Sequence, residues 1–178
     1  MTPTNEFAVP ESQAPDDLGP ITEQPRDTRA VSGDGFSLYA PAEFQQTDRK
    51  GPGDVDMIVL GKTANRSGGV VEVVVFTEAQ PEAGAQEQMY GLAGAKEVAG
   101  AQDIRREAVE WPEARTAVIV RWTERTAGPQ GELTQTFAQL AVERENGSIV
   151  TAIAVAPEDE FDDSGAMEVL RTLTLDGA

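Results

Sequence analysis

Gly35-Phe36-Ser37-Leu38-Tyr39-Ala40-Pro41-Ala42-Glu43-Phe44 is the stretch at which a tail-like sequence gives way to a folding one. Phe36, Leu38 and Ala40 alternate with Ser37 and Tyr39, the period of two expected of a strand with one buried face. Pro41 has no N–H to give a ladder and fixes its own φ, so the strand ends there. Phe44 then stands where it can fold back over the apolar face.

Upstream the character differs. Residues 1–34 hold five of the 11 prolines, with seven acidic and two basic residues, and their apolar residues follow no period. A segment of this kind cannot bury enough surface to offset its ordering entropy. Residues 1–29 are therefore expected to be a disordered acidic, Pro-rich leader, mobile through residue 28, and residues 30–178 a single domain. The leader would act as a spacer or tether.

Downstream, strand patterns crowd together. Residues 55–60 are apolar, 65–69 read as a turn, and 70–77 carry valines on both faces, as a strand covered on both sides should. From Pro81 the period lengthens: Ala85, Met89, Leu92, Ala93 and Lys96 predict a helix with Pro81 in its first turn. Residues 102–111 form a strand candidate. Residues 115–126 follow, with Val118, Val120 and Trp122 on one face and Ala117 and Ile119 on the other. Residues 127–131 read as a hairpin loop. Residues 133–143 pair back, Ala138, Leu140 and Val142 alternating with Phe137, Gln139 and Ala141. Asn146-Gly147 predicts a type I′ hairpin, and residues 148–156 complete the meander. A second helix is expected from Pro157 through Ala166, Met167, Leu170 and Leu173, behind an acidic first turn.

Strands, helix, antiparallel strands, helix is an α+β order: a twisted antiparallel sheet of about six strands flanked by two helices, spanning residues 30–175. With the motif Gly-Phe-x-Leu-x-x-Pro-x-x-Phe at residues 35–44, a Trp-bearing central strand and a closing helix, the chain resembles the Mog1/PsbP-like superfamily of α/β/α sandwiches. That superfamily includes a Ran-binding nucleotide-release factor, a photosystem extrinsic subunit and many bacterial lipoproteins or exported proteins. The resemblance implies an accessory role and carries over no functional residue.

Composition narrows the chemistry. The chain has no Cys and no His, which removes disulfides, thiolate nucleophiles, imidazole bases and the usual transition-metal ligands. No catalytic residue, metal site or cofactor site is expected. A net charge of −17 repels nucleic acid and anionic bilayers, no apolar run approaches a membrane span, and a basic protein fits best as partner. Met1 to Glu6 carry no signal-peptide pattern. The expected compartment is cytoplasmic if the chain is complete and the cell envelope if a leader was removed. Scarce Lys beside Arg, with abundant Ala and Gly, points to a high-GC bacterial genome.

Individual motifs resolve into structure more readily than chemistry. Residues 158–165 (Glu-Asp-Glu-Phe-Asp-Asp-Ser-Gly) are dense in carboxylates, yet Asp163 and Val169 occupy the places where a calcium loop needs Gly and Glu. Asn65-Arg66-Ser67 and Asn146-Gly147-Ser148 fit the glycosylation triplet but sit in expected turns. Glu110, Glu124 and Asp103 would serve glycoside chemistry only if strands paired two of them, and cross-strand pairing with Arg105, Arg106, Arg121 and Arg125 accounts for them better. Gly91-Leu92-Ala93-Gly94 lies inside a helix pattern and is no phosphate loop. Trp122 reads as core. Trp111, at a strand end, and the Gly128-Pro129 loop are the partner-binding candidates. The expectation is thus a non-enzymatic binding or accessory module that meets a protein partner. Its rival is a small-ligand-binding domain or carboxylate-based hydrolase with a pocket between sheet and helix.

Overall fold

In the computed structural model the described residues are 11–13, 18–64, 69–128 and 131–176. They form, in order, β1 (Glu11–Gln13), β2 (Thr28–Gly33), β3 (Phe36–Pro41), β4 (Gln45–Lys50), β5 (Asp56–Thr63), β6 (Val70–Glu78), α1 (Ala85–Val98), β7 (Gln102–Val109), β8 (Ala114–Gly128), β9 (Gly131–Arg144), β10 (Ile149–Pro157), α2 (Ala166–Arg171) and β11 (Thr174–Leu175).

The strands make two sheets. The larger runs β1-β7-β8-β9-β10-β6-β5-β4, and every neighbour pair in it is antiparallel except the short β1, which lies parallel to β7. The smaller runs β11-β3-β2, also antiparallel. The protein is a sheet-dominated α+β fold. The expected single sheet of about six strands is corrected on two points. Seven strands form the antiparallel part of the main sheet, and the Phe36–Pro41 strand belongs to the second sheet.

Why two sheets form follows from the alternation. Val118, Val120, Trp122, Ala141 and Ile149 share one face of the main sheet, where Ala85, Met89 and Ala93 of α1 cover them. Ala117, Ile119, Ala138, Leu140, Val142, Ala152 and Ala154 share the other, where Phe36, Leu38 and Ala40 of β3 and Val169 and Leu170 of α2 close over them. The faces read from the sequence for residues 117–122 and 137–142 are the observed ones. Phe44 folds back as expected and is fully buried.

Both helices start later than expected. Gly84, not Pro81, leads into α1, and the free N–H of Ala85 is satisfied by Glu143 Oε1 of β9 at 2.9 Å. A Cβ on Gly84 would lie 2.8 Å from that oxygen, so a side chain there would push the carboxylate off its present position. Residues 158–160 form a single 3₁₀ turn, and α2 waits until Ala166 because Gly165 first turns the chain through φ 84°. Ser164 Oγ accepts the Ala166 N–H and donates to Phe161 O, fixing that turn. The acids of residues 158–163 therefore do not decorate the first turn of α2.

The Asn146-Gly147 hairpin also differs. Only Gly147 takes a left-handed φ, 89°, whereas a type I′ turn needs positive φ at two residues. Arg144 N–H donates to Ser148 O and Gly147 N–H to Arg144 O, a three-residue loop. Asn146 Oδ1 accepts from the amide and the hydroxyl of Ser148.

The leader boundary moves upstream in the described residues. Leu18 is buried in the main core, Ile21 N–H donates to Arg171 O, and Arg171 Nε donates to Gly19 O, each at 2.8 Å. Arg29 then ties β2 to the turn after β3 through Pro41 O and Phe44 O. Residues 18–29 are thus packed against the body, where prolines and acids had suggested a free tail. Residues 1–10 and 14–17 of the expected leader lie outside the described residues. Leu18→Ala is expected to lower unfolding free energy by about 2–4 kcal/mol, and Gln46→Ala, on the exposed β4, by less than about 0.5 kcal/mol. Chemical denaturation of both variants checks this. Equal stability of the Leu18 variant and the parent would place residue 18 outside the core.

Candidate functional site

Two hairpins stand over an open part of the sheet. β2 is the outer strand of the small sheet and β4 the outer strand of the large one. All six residues of β4 are exposed, so nothing roofs its inner face. Between these hairpins lies a cleft of about 430 Å³, within the range of small-ligand sites. Phe36, Met57 and Ile58 supply its apolar part, and Asp34, Asp48 and Asp56 its acids.

Local sequence sets each wall. Gly33 carries no side chain because a Cβ there would sit 2.2 Å from the Phe36 ring, and the ring can therefore lie flat against the strand. Thr77 Oγ1 donates to Asp34 O at 2.7 Å, pinning the β2–β3 turn to β6. Across the cleft, Gly51 N–H donates to Val55 O and leaves room for the Met57 sulfur. Asp56 pairs with Lys50, and Asp48 Oδ1 accepts from Gln46 Nε2 at 3.3 Å. Against the three aspartates, Arg49 is the basic residue of the lining. An acidic rim over an apolar floor suits a cation with an apolar stem. It offers a nucleophile neither thiol nor imidazole.

A second hollow, about 380 Å³, lies between the C-terminal end of α1 and the sheet, bounded by Gly100, Gln102, Thr123, Glu124, Thr134 and Glu158. It is the place the rival reading called for. Glu124 there is engaged with Lys96 at 3.6 Å, and Lys96 sits 4.8 Å over the Trp122 ring.

The residues singled out from sequence are not brought together. Trp111 is buried, 6% exposed, and its Nε1 donates to Leu173 O at 2.8 Å. It is a clamp across the chain's closing segment and lines a shallow hollow with Pro20 and Leu175. Gly128 is at the far end of the 15-residue β8, about 45 Å from the start of that strand at ~3.3 Å per residue. Pro129 lies outside the described residues, as do Asn65, Arg66 and Ser67.

Asp103 and Glu110 flank opposite ends of β7, about 23 Å apart by the same rise. Two arginines of this sheet do meet carboxylates: Arg121 with Glu107 at 2.6 Å and Arg125 with Glu132 at 3.3 Å. Glu107 is almost wholly buried, and the alternation of β7 gave no sign of it. Among the described residues no three carboxylates converge as a metal-holding group.

The cleft, too, escaped sequence reasoning, because residues 45–50 (Gln-Gln-Thr-Asp-Arg-Lys) have no apolar alternation to mark a strand. Comparison with known proteins finds no family model that matches the chain and no curated protein that matches it.

Trp111→Phe keeps an aromatic side chain but loses part of the indole's buried volume and its one hydrogen bond, leaving Leu173 O without its donor. It is expected to cost about 1–3 kcal/mol of stability. A thermal melt checks it, and an unchanged melting temperature would mean that water replaces the indole there.

Proposed function

We propose that the protein is a non-enzymatic binding module whose recognition site is the cleft between the β2–β3 and β4–β5 hairpins. The observation that carries the reading is the pairing of an apolar floor (Phe36, Met57, Ile58) with three aspartates at an open mouth between β2 and β4, the outer strands of the two sheets among the described residues. A ligand with a cationic head and an apolar stem meets both requirements, and a lysine- or arginine-bearing segment of a basic protein has that chemistry. The wider surface favours the same partner, since the charge of −17 speeds encounter with a basic molecule and makes it salt-sensitive.

The layering of α1, main sheet, and small sheet with α2 supports a kinship with the Mog1/PsbP-like superfamily. An accessory role without chemistry accords with that kinship. No helix in the described residues is long and apolar enough to cross a membrane.

The test is amide chemical-shift mapping of the isotope-labelled chain with a short amphipathic lysine peptide. Saturable shifts at residues 32–36 and 56–58 are expected. Asp48→Asn should weaken them about two- to fivefold, the size of one exposed charge contact, and raised salt should do the same. Ile58→Arg should abolish them by filling the floor. Shifts confined to other surfaces, or none, would reject the cleft.

A further inference from the structure

α1 covers only part of the sheet face on which it lies. It rests chiefly on β8, with β7 and β9 to either side, and among the described residues it is the only α-helix on that face. Further across, the same face carries Val74 of β6, with Val59 of β5 opposite it on one side and Ile153 of β10 on the other. Phe76 follows Val74 on that face and stands opposite Thr151. Val59 is buried between its neighbours, whereas Val74, Phe76 and Ile153 are each half-buried. A strand that is apolar on this side as well as on its core side calls for a second cover.

Geometry sets the shape of what fits. Strands stand about 4.8 Å apart, and packed helices about 8–10 Å apart. A helix seated beside α1 would therefore lie two strands on from β8, over β10, with β6 next to it. Lys96, 6.0 Å over the Phe137 ring of β9, marks the flank of α1 that faces this space.

Glu72 sets its chemistry. This residue of β6 lies in the row beside Val74, between Gly61 and Val155. It is half-buried and has no hydrogen-bonded or ion-paired partner among the described residues. The cations nearest in the fold are engaged or distant. Lys96 is held by Glu124 at 3.6 Å and by the Trp122 ring. Arg49 of β4 is four residues along from Gln45, which is level with Glu72. That places it about 13 Å along the strand and two strands across, beyond the roughly 8 Å over which charge acts at physiological ionic strength. A helix laid over Glu72 would take its charge out of water, and only a cation brought to meet it offsets that cost.

We propose that the β10–β6 part of this face docks one amphipathic helix of a partner protein, seated beside α1. Its apolar stripe would rest on Val74, Phe76 and Ile153, and a lysine or arginine would meet Glu72. Charge selects this occupant, since a net −17 repels a second copy or an acidic helix and attracts a basic one. The site is separate from the cleft, where Ile58 packs with the core on the opposite face of the sheet.

The experiment titrates the full isotope-labelled chain with a helical Leu/Ala/Lys peptide, its leucines at i, i+3, i+4 and i+7 and its lysines on the flanks. Saturable amide shifts along residues 72–76 and 151–155 are expected. Glu72→Gln should weaken binding about two- to fivefold, as loss of one charge contact does. Val74→Arg should abolish it by setting a cation in the apolar row. No saturable shift at residues 151–155 up to about 1 mM peptide overturns the proposal. So does equal affinity of the Glu72→Gln chain and the parent, a comparison that stands whether or not Val74→Arg folds. A concentration-dependent dimer in sedimentation that Val74→Arg dissolves would overturn it in favour of a second copy. Shifts at residues 32–36 report the cleft and those at 151–155 this face, so the two sites succeed or fail independently.

Discussion

β10 is buried along almost its whole length and on both faces, and that single constraint organises the protein. A strand apolar on both sides has to be roofed twice. On one side α1, resting on β7, β8 and β9, covers the cluster that takes in Ile149 at the start of β10. On the other the roof is the small sheet together with α2. Ala152, Ala154 and Ala156 on that side keep the surface low enough for α2 and β3 to pack closely. Three hydrogen bonds that hold the second roof in place are long-range. Tyr39 N–H donates to Thr172 Oγ1, Trp111 Nε1 to Leu173 O, and Arg171 Nε to Gly19 O. The chain's beginning, middle and end meet at α2 and β11.

The two roofs also fix where recognition is available. The small sheet is narrower than the sheet it covers, and the main sheet therefore runs on past it through β5 and β4. The uncovered overhang is the cleft. At the opposite rim β7 ends the antiparallel part of the sheet, and among the described residues the short parallel β1 lies beyond it.

How much of this was legible depended on where each determinant lies in sequence. The paired faces of β8 and β9 could be read residue by residue, because alternation is a local property of a half-buried strand. The true start of α1 could not, since the group that caps it, Glu143, is 58 residues away. Trp111 is a similar case: a Trp before Pro at a strand end looks like a rim, and only its bond to Leu173 O, 62 residues on, makes it core. Residues 45–50 bury nothing and so carry no period to detect. Leu18 is one apolar residue in a proline-rich stretch, and a single buried anchor leaves no pattern. The cleft was hidden for the same reason as β4, its outer wall.

The Gly84–Glu143 contact bears on the order in which the molecule can assemble. α1 has no side-chain cap from its own N-terminal residues, carries Gly91 and Gly94 in its body, and buries chiefly Ala85, Met89 and Ala93. A 14-residue helix of that make-up has little tendency to persist by itself. Its first free amide finds an acceptor only once β9 is in place, and its apolar stripe finds cover only once β8 has paired with β9. The sheet is thus the template and the helix the follower. The slow step is the closing of distant strands, and the only long helix of the described residues is among the last parts to become structured.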